Sequence, residues 1–428
     1  MSIQYPMVSW AKKSNIYEVN IRQYTPSGTF RELAEHLERL KDMHAGILWL
    51  MPITPIAEQE RLGSLGSYYA CKSYVNINPE YGTKEDFTFF VEKAHSLGLK
   101  IIIDWVANHT GYGHEWTVNH PEWFLLDKAG NFTERNGWKD VIDLNYANRE
   151  MQQAMIAAMK YWITDCNIDG FRCDMAHLVP LNFWHEARRE CEKIKSLFWL
   201  GECDDAAYSE VFDVTYAWKW MHDSKDFIDG KTNAQAFLNT VYNYESLPKG
   251  ALKSYFTSNH DENSWNGTEY EKYGSAALAM SAYTLLLNGI PIIYSGQELP
   301  NYKRLKFFDK DEILWQDRQL PKLHYYYKGL LSLRHTKVFD ADAKLELKAL
   351  NNHLIYMNRE KGSSRMIALF NFSKEENMRV HLTDDMSGVY SNLSSGISYI
   401  FKEEEYFNLH PGEYLVYTKN INQEEFVI

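Results

Sequence analysis

NREMQQAMIAAMKYWITDCNIDGFRCDMAH, residues 148–177, is the stretch whose reading decides the fold. Its first part spaces apolar side chains three and four apart, the period of an amphipathic helix. Its last part, GFRCDMA, is a short apolar run of strand length. Within that run Arg172 and Asp174 stand two apart, so on a strand their side chains point the same way. Burying an ion pair costs desolvation that the mutual attraction often fails to return. Two such residues on one inward face therefore indicate a site rather than core.

The helix-then-strand unit repeats in both directions. Upstream, NIYEVNIRQY reads as a strand, FRELAEHLERLKDMH as a helix and GILWLMPI as an apolar strand. KEDFTFFVEKAHSLGL is helical again, and KIIIDWVANH is a third strand. Downstream, FWLGEC, SYFTSNHD and IPIIYSG continue the series, with VFDVTYAW as the weakest-patterned member, the sixth strand. Near-continuous apolar strands alternating with helices predict a parallel sheet covered on both faces. Eight strands from residue 14 to about 335 suit a (β/α)8 TIM barrel. A doubly wound open sheet would carry a Gly-rich phosphate loop after its first strand, and none follows.

The repeat is interrupted at residues 110–142, which are aromatic, rich in Gly and Asn, and not convincingly helical. We read a short inserted domain after strand three, a kind of loop that is commonly functional. From about residue 339 the texture changes to short, often alternating segments such as HLIYMNRE and SRMIALFNFS. The expected organisation is barrel over 1–109, insertion over 110–142, barrel over 143–338, and a C-terminal antiparallel β-sandwich domain over 339–428. Residues 276–296, AALAMSAYTLLLNGIPIIYSG, could mimic a membrane span. Asn288, Gly289 and Pro291 divide them instead into helix, turn and buried strand.

A formal charge of −12 disfavours nucleic acid and anionic membranes as partners. No protein partner is evident, and neutral ligands remain open. The five cysteines, Cys71, Cys166, Cys173, Cys191 and Cys203, lie in apolar or helical segments with no C-x-x-C spacing. That pattern predicts reduced, buried thiols and a reducing compartment. The opening MSIQYPMVSWAKKS lacks the basic-then-apolar signature of a signal peptide, so a cytoplasmic location is expected.

In a TIM barrel the catalytic residues sit at the C-terminal ends of the strands. Here those ends supply Asp104, Asn108 and His109 on strand three, and Arg172, Asp174 and His177 on strand four. Strand five adds Glu202, and strand seven adds Asn259, His260 and Asp261. Three carboxylates, Asp174, Glu202 and Asp261, thus converge on one mouth. A metal site would combine His109, His177 and His260 with carboxylates. A glycosidase site needs one ionised carboxylate as nucleophile and one protonated as general acid. The environments favour the second, since Arg172 should hold Asp174 charged. Glu202, behind apolar FWLG and near two anions, should have its pKa raised. Asp104 reads as a buried acceptor for Arg172, and Cys173 and Cys203 as core.

With these residues assembled, the chain resembles the α-amylase family, glycoside hydrolase family 13, over nearly its whole length. DWVANH is similar to the family's strand-three motif, GFRCDMAH to strand four, GECD to strand five and TSNHDE to strand seven. SYYACKSYVNINPEYGT resembles the segment after strand two, and VIDLN the short motif of the inserted domain. The resemblance implies a retaining α-glycoside hydrolase acting on α-1,4-linked glucans. It implies Asp174 as nucleophile, Glu202 as acid/base and Asp261 as the third carboxylate. It further implies His109 and His260 on sugar hydroxyls, Tyr69 stacking on the sugar, and Arg172 orienting Asp174. Tyr68 competes with Tyr69 for the stacking role.

The chain also departs from the family pattern. His177 and Leu178 stand where Lys-His is frequent, so the leaving-group subsites differ, and His177 is either a substrate contact or simply polar. Ser73 replaces a frequent Asp. Asn108 and Asp143 match two positions of the family's structural calcium site, and its remaining ligands are not found. No cofactor is therefore required, and calcium is expected only at an incomplete site. Of Trp105, Trp116, Trp123, Trp138 and Trp265, one or two are expected at the mouth. The rival readings are an exo-acting α-glucosidase or transglycosylase, a non-catalytic sugar binder, and a metal-dependent barrel hydrolase.

Overall fold

The computed structural model describes residues 5–247, 251–315, 320–383 and 386–421. Eight short parallel strands form its centre: β1 (Ile16–Val19), β2 (Ile47–Leu50), β3 (Lys100–Trp105) and β4 (Gly170–Cys173), then β5 (Phe198–Gly201), β6 (Val214–Tyr216), β7 (Leu252–Ser254) and β8 (Ile292–Tyr294). From β1 to β7 each strand pairs with the next, and β1 pairs with β8. The remaining seam, β7 to β8, is closed by Ile290 and Ile292 donating to the carbonyls of Lys253 and Tyr255, at 3.1 and 2.9 Å. This is the TIM barrel, and VFDVTYAW does supply its sixth strand.

The opening motif folds as its period dictates. Asn148 caps a helix over Arg149–Cys166, accepting from the N–H groups of Glu150 and Met151. Its buried face is Met151, Met155, Met159, Trp162 and Cys166, and Asn167 ends it in the left-handed conformation. The chain then enters β4 at Gly170, where a Cβ would meet the Phe198 carbonyl oxygen at 2.0 Å. Only glycine permits that approach of β5. The β3–β4 register pairs Asp104 with Arg172 directly, so the charged residues of both strands share one position of the barrel interior.

Two local readings change. The first strand stops at Val19, and Ile21–Tyr24, read as its continuation, is a helical turn. The residues 110–142 contain a short helix, Glu115–Asn119, and a 3-10 turn, Pro121–Trp123. The insertion is fastened to the barrel by an antiparallel ladder that pairs His109–Gly111 with Val141–Asp143.

After residue 343 the described chain forms antiparallel strands, six of them in one sheet and two in a separate ladder. In the second of these strands, Leu354–Lys361, side chains alternate between two cores. Leu354 and Tyr356 belong to the sheet's own cluster, whereas Ile355 and Met357 join the main core with the barrel helices. Buried Arg359 adds polar ties across this junction, donating to the carbonyls of Leu286 and Val338. Among the described residues no helix is long and apolar enough to cross a membrane. Residues 277–286 and 292–294 form the helix and strand expected of the apolar run.

Candidate active site

Arg172 is the hub of the barrel's C-terminal mouth, with a side chain that has no exposure to solvent. Its Nη1 donates to Asp104 Oδ1 at 3.0 Å and to Asp174 Oδ1 at 2.8 Å. Its Nη2 lies 2.8 Å from Glu202 Oε2, off the hydrogen-bonding direction, so that contact is an ion pair. Nε donates to the Tyr216 hydroxyl at 3.2 Å, and the guanidinium lies 4.7 Å from the centre of the Trp49 ring. One cation thus gathers carboxylates from β3, from the end of β4 and from the end of β5.

The turn after β4 aims a further donor. Met175 adopts the left-handed conformation, φ 42° and ψ 45°, a rare state for a residue with a side chain. There its N–H donates to Glu202 Oε2 at 2.9 Å. Strain of this kind costs roughly 1–3 kcal/mol and persists where the surroundings enforce it.

On the opposite wall, His260 joins two more carboxylates. Its Nδ1 is 2.6 Å from Glu18 Oε1, and its Nε2 is 2.7 Å from the Tyr69 hydroxyl and 3.3 Å from Asp261 Oδ2. The Tyr69 hydroxyl also reaches Asp104 Oδ2 at 3.1 Å, which closes the ring of contacts back to Arg172. Asp261 is the most open of the carboxylates, its side chain 38% exposed.

The electrostatics follow from burial and charge. Burial pushes Glu202 up to about 7; Arg172 opposes this, while Asp174 and Asp261 reinforce it. Asp174 is pushed up to about 6, again by burial, with Arg172 pulling it down. The arginine therefore limits the rise of Asp174 without holding it in the ordinary carboxylate range. Burial alone would discharge His260, but Asp261 and Glu18 raise it to about 9, so the imidazolium donates from both nitrogens at neutral pH. His109 is held neutral, lowered to about 3 by burial.

The structure places the remaining residues as follows. His109 is buried, 3.1 Å from the Asn108 amide nitrogen, with its ring 5.2 Å from that of Trp138. Tyr69, not Tyr68, enters the polar cluster; Tyr68 packs under the Arg22 guanidinium. His177 is exposed on the 3-10 turn Ala176–Leu178, outside the hydrogen-bonded ring. Trp105 and Trp123 are core, and Trp265 is 53% exposed, packed on Phe307 and Phe308. Phe307 in turn stacks on Tyr69, so aromatic rings run from the cluster to the surface. Cys173 and Cys203 are buried.

Glu18, Trp49 and Tyr216 were not singled out by sequence reasoning. Glu18 carried a usable signal, being a lone charge in the apolar strand IYEV, the same anomaly that exposed Arg172.

The residues matching calcium positions do not fit that ion. Asp143 is fully buried, and the Arg135 guanidinium donates to its Oδ2 at 2.6 Å. Asp143 Oδ1 has no partner, and the Asn108 amide nitrogen is turned to His109. Among the described residues no group of three or more His, Cys, Asp or Glu could hold a metal. One carboxylate already bearing a guanidinium falls short of the six or more oxygens calcium takes.

The chain is similar to known proteins of one family. The family model "Alpha amylase, catalytic domain" matches residues 11–122 and 117–385. The chain is 26% identical over 384 residues to alpha-amylase MalA of Haloarcula japonica, covering 85% of this chain and 54% of that one. It thus spans about half the length of that relative. An alpha-amylase structure from Lactobacillus plantarum superposes with a TM-score of 0.86 at 29% identity, covering 96% of this chain and 99% of that one. The noncanonic maltogenic alpha-amylase AmyB of Thermotoga neapolitana gives 0.86 and 29%, with 95% and 99% covered. With the model matching most of its length, the chain belongs to the α-amylase family, glycoside hydrolase family 13.

Proposed function

We propose that the protein is a retaining hydrolase of α-1,4-glucosidic bonds in starch-like glucans or maltooligosaccharides. The observation that carries this reading is the single buried guanidinium shared by Asp174 and Glu202, each with an oxygen 2.8 Å from one of its nitrogens. With Asp174 ionised and Glu202 protonated, the pair has the division of labour that double displacement requires. Asp174 attacks the anomeric carbon as Glu202 protonates the leaving oxygen, giving a covalent glycosyl-enzyme. Glu202, now a base, activates the water that releases the sugar. Asp261, with protonated His260 beside it, binds the hydroxyls of the ring being distorted. His109 contacts the same sugar and Tyr69 offers its ring. These side chains account for each step of the scheme. Five buried thiols, none in a disulfide, support a reducing, cytoplasmic setting.

Proton NMR of maltopentaose digestion tests the assignment. The first-formed product should carry the α-anomer, with internal cuts among the early products. A β-anomeric first product would refute it. Exo-action, or transfer to a second sugar, is the alternative, favoured by the likeness to the maltogenic alpha-amylase of Thermotoga neapolitana. Release of a single small product from the chain end would select it.

A further inference from the structure

Glu202 is carried on a segment with little apolar anchorage beyond it. Cys203 and Tyr208 are buried, but residues 204–207 between them are half-buried or exposed. The chain turns sharply at the start of this segment, where the Cys203 N–H donates to the Gly201 carbonyl at 3.0 Å. Past that turn, the side chain of Asp204 fixes it to the barrel.

Asp204 gathers donors from separate elements. Its Oδ1 accepts from Lys253 Nζ of β7 at 2.6 Å. Its Oδ2 accepts from the Lys219 N–H at 2.8 Å and from the Tyr244 hydroxyl at 2.6 Å. Lys219 lies in the first turn of the helix Trp218–Ile228, where free backbone N–H groups favour an anion. Tyr244 lies near the end of the helix Ala234–Glu245, which precedes β7.

Lys253 carries the tie inward. Its side chain is 3% exposed, and Asp204 is its ion-pair partner. Its Nζ also donates to Thr215 Oγ1 at 3.0 Å and to the carbonyls of Tyr216 and Asp204, each at 3.3 Å. Thr215 is its register partner on β6. The next residue, Tyr216, accepts from Arg172 Nε on its hydroxyl, and Arg172 is ion-paired with Glu202. One buried ammonium therefore links the segment leaving Glu202 to the strand end that supports the cation beside Glu202.

A buried ion pair gives little net stability over apolar side chains of similar size, so stability alone does not explain this one. Geometry does. A general acid must lie within hydrogen-bond reach of the leaving oxygen, and a displacement of about 1 Å can cost on the order of 10²-fold in rate. We propose that Asp204, clamped by Lys253, is a positioning residue that holds Glu202 against the leaving oxygen. The proposal rests on the assignment of Glu202 as the acid/base.

Asp204→Asn tests it, because the amide still accepts from Lys219 and Tyr244 but no longer pairs with the ammonium. On maltopentaose kcat/KM should fall roughly 10- to 100-fold. On α-maltosyl fluoride, whose leaving group needs no proton, it should fall less than about threefold. If the variant fails to fold with Lys253 unpaired, Asp204→Asn/Lys253→Met removes both charges and should spare the fluoride in the same way. Equal losses on the two substrates, or undiminished turnover of maltopentaose, would overturn the proposal. Glu202→Gln measured in parallel separates the two claims. If Glu202→Gln spares the fluoride and Asp204→Asn does not, the positioning role alone falls; if Glu202→Gln does not spare it, the assignment of Glu202 falls and the proposal with it.

Discussion

Replacing Glu202 by Gln keeps the shape of the side chain while removing its titration. In the native protein burial pushes Asp174 up to about 6 and Glu202 up to about 7, well above ordinary carboxylates, so the pair changes charge near neutrality. The profile of kcat/KM against pH should be bell-shaped there, its two limbs belonging to the coupled pair. The variant should lose the alkaline limb and, on maltooligosaccharides, roughly 10²–10⁴-fold in kcat/KM, the usual worth of a positioned acid. α-Maltosyl fluoride separates this from misfolding, because fluoride departs without a proton. For that substrate kcat/KM should fall less than about tenfold, since the attack by Asp174 persists. Stability offers an independent check. A carboxyl raised from 4.5 to about 7 on folding stabilises the fold below its unfolded pKa, and that contribution is lost as pH rises through 7. At pH 9 the native protein carries a penalty of order 3 kcal/mol that the amide avoids. Glu202→Gln should therefore melt higher than the native chain at pH 9 by several degrees. Equal losses on both substrates, together with a surviving alkaline limb, would refute the assignment of Glu202.

Three further outcomes are expected. Glu18→Gln removes a charge-assisted hydrogen bond from His260 and should lower kcat/KM roughly 10- to 100-fold, with the His260 NMR titration moving down; an unmoved titration would exclude the contact. Trp265→Ala should raise KM for long maltooligosaccharides, by the roughly 1 kcal/mol of one aromatic contact, while leaving kcat on short ones unchanged. Arg135→Ala leaves buried Asp143 without its cation and should cost about 1–3 kcal/mol in urea unfolding, whereas chelators should change neither stability nor activity.

The barrel was legible because its signal is local. Each strand is a short apolar run and each helix a 3.6-residue stripe, so the alternation survives even where the ends are misjudged, as at Ile21. The polar residues at strand ends were legible for a related reason: a charge in an apolar run needs an explanation, and Arg172 and Asp174 provide one. What escaped is set by contacts distant in sequence. His260 meets Glu18 across 242 positions, and Arg172 meets Tyr216 across 44. The balance of burial against charge was equally hidden. Proximity of Arg172 and Asp174 could be read from their spacing, but the depth that lifts Asp174 to about 6 belongs to the folded barrel.

The mouth of the barrel holds five acidic side chains, Glu18, Asp104, Asp174, Glu202 and Asp261, against one guanidinium and one imidazolium. Even with Glu202 protonated, negative charge exceeds positive. Such a cage is tuned to a guest that is briefly cationic, as a sugar ring becomes when its bond to the leaving oxygen stretches. A nitrogen analogue of the ring, protonated at neutral pH, should therefore be held more tightly than the neutral sugar it imitates.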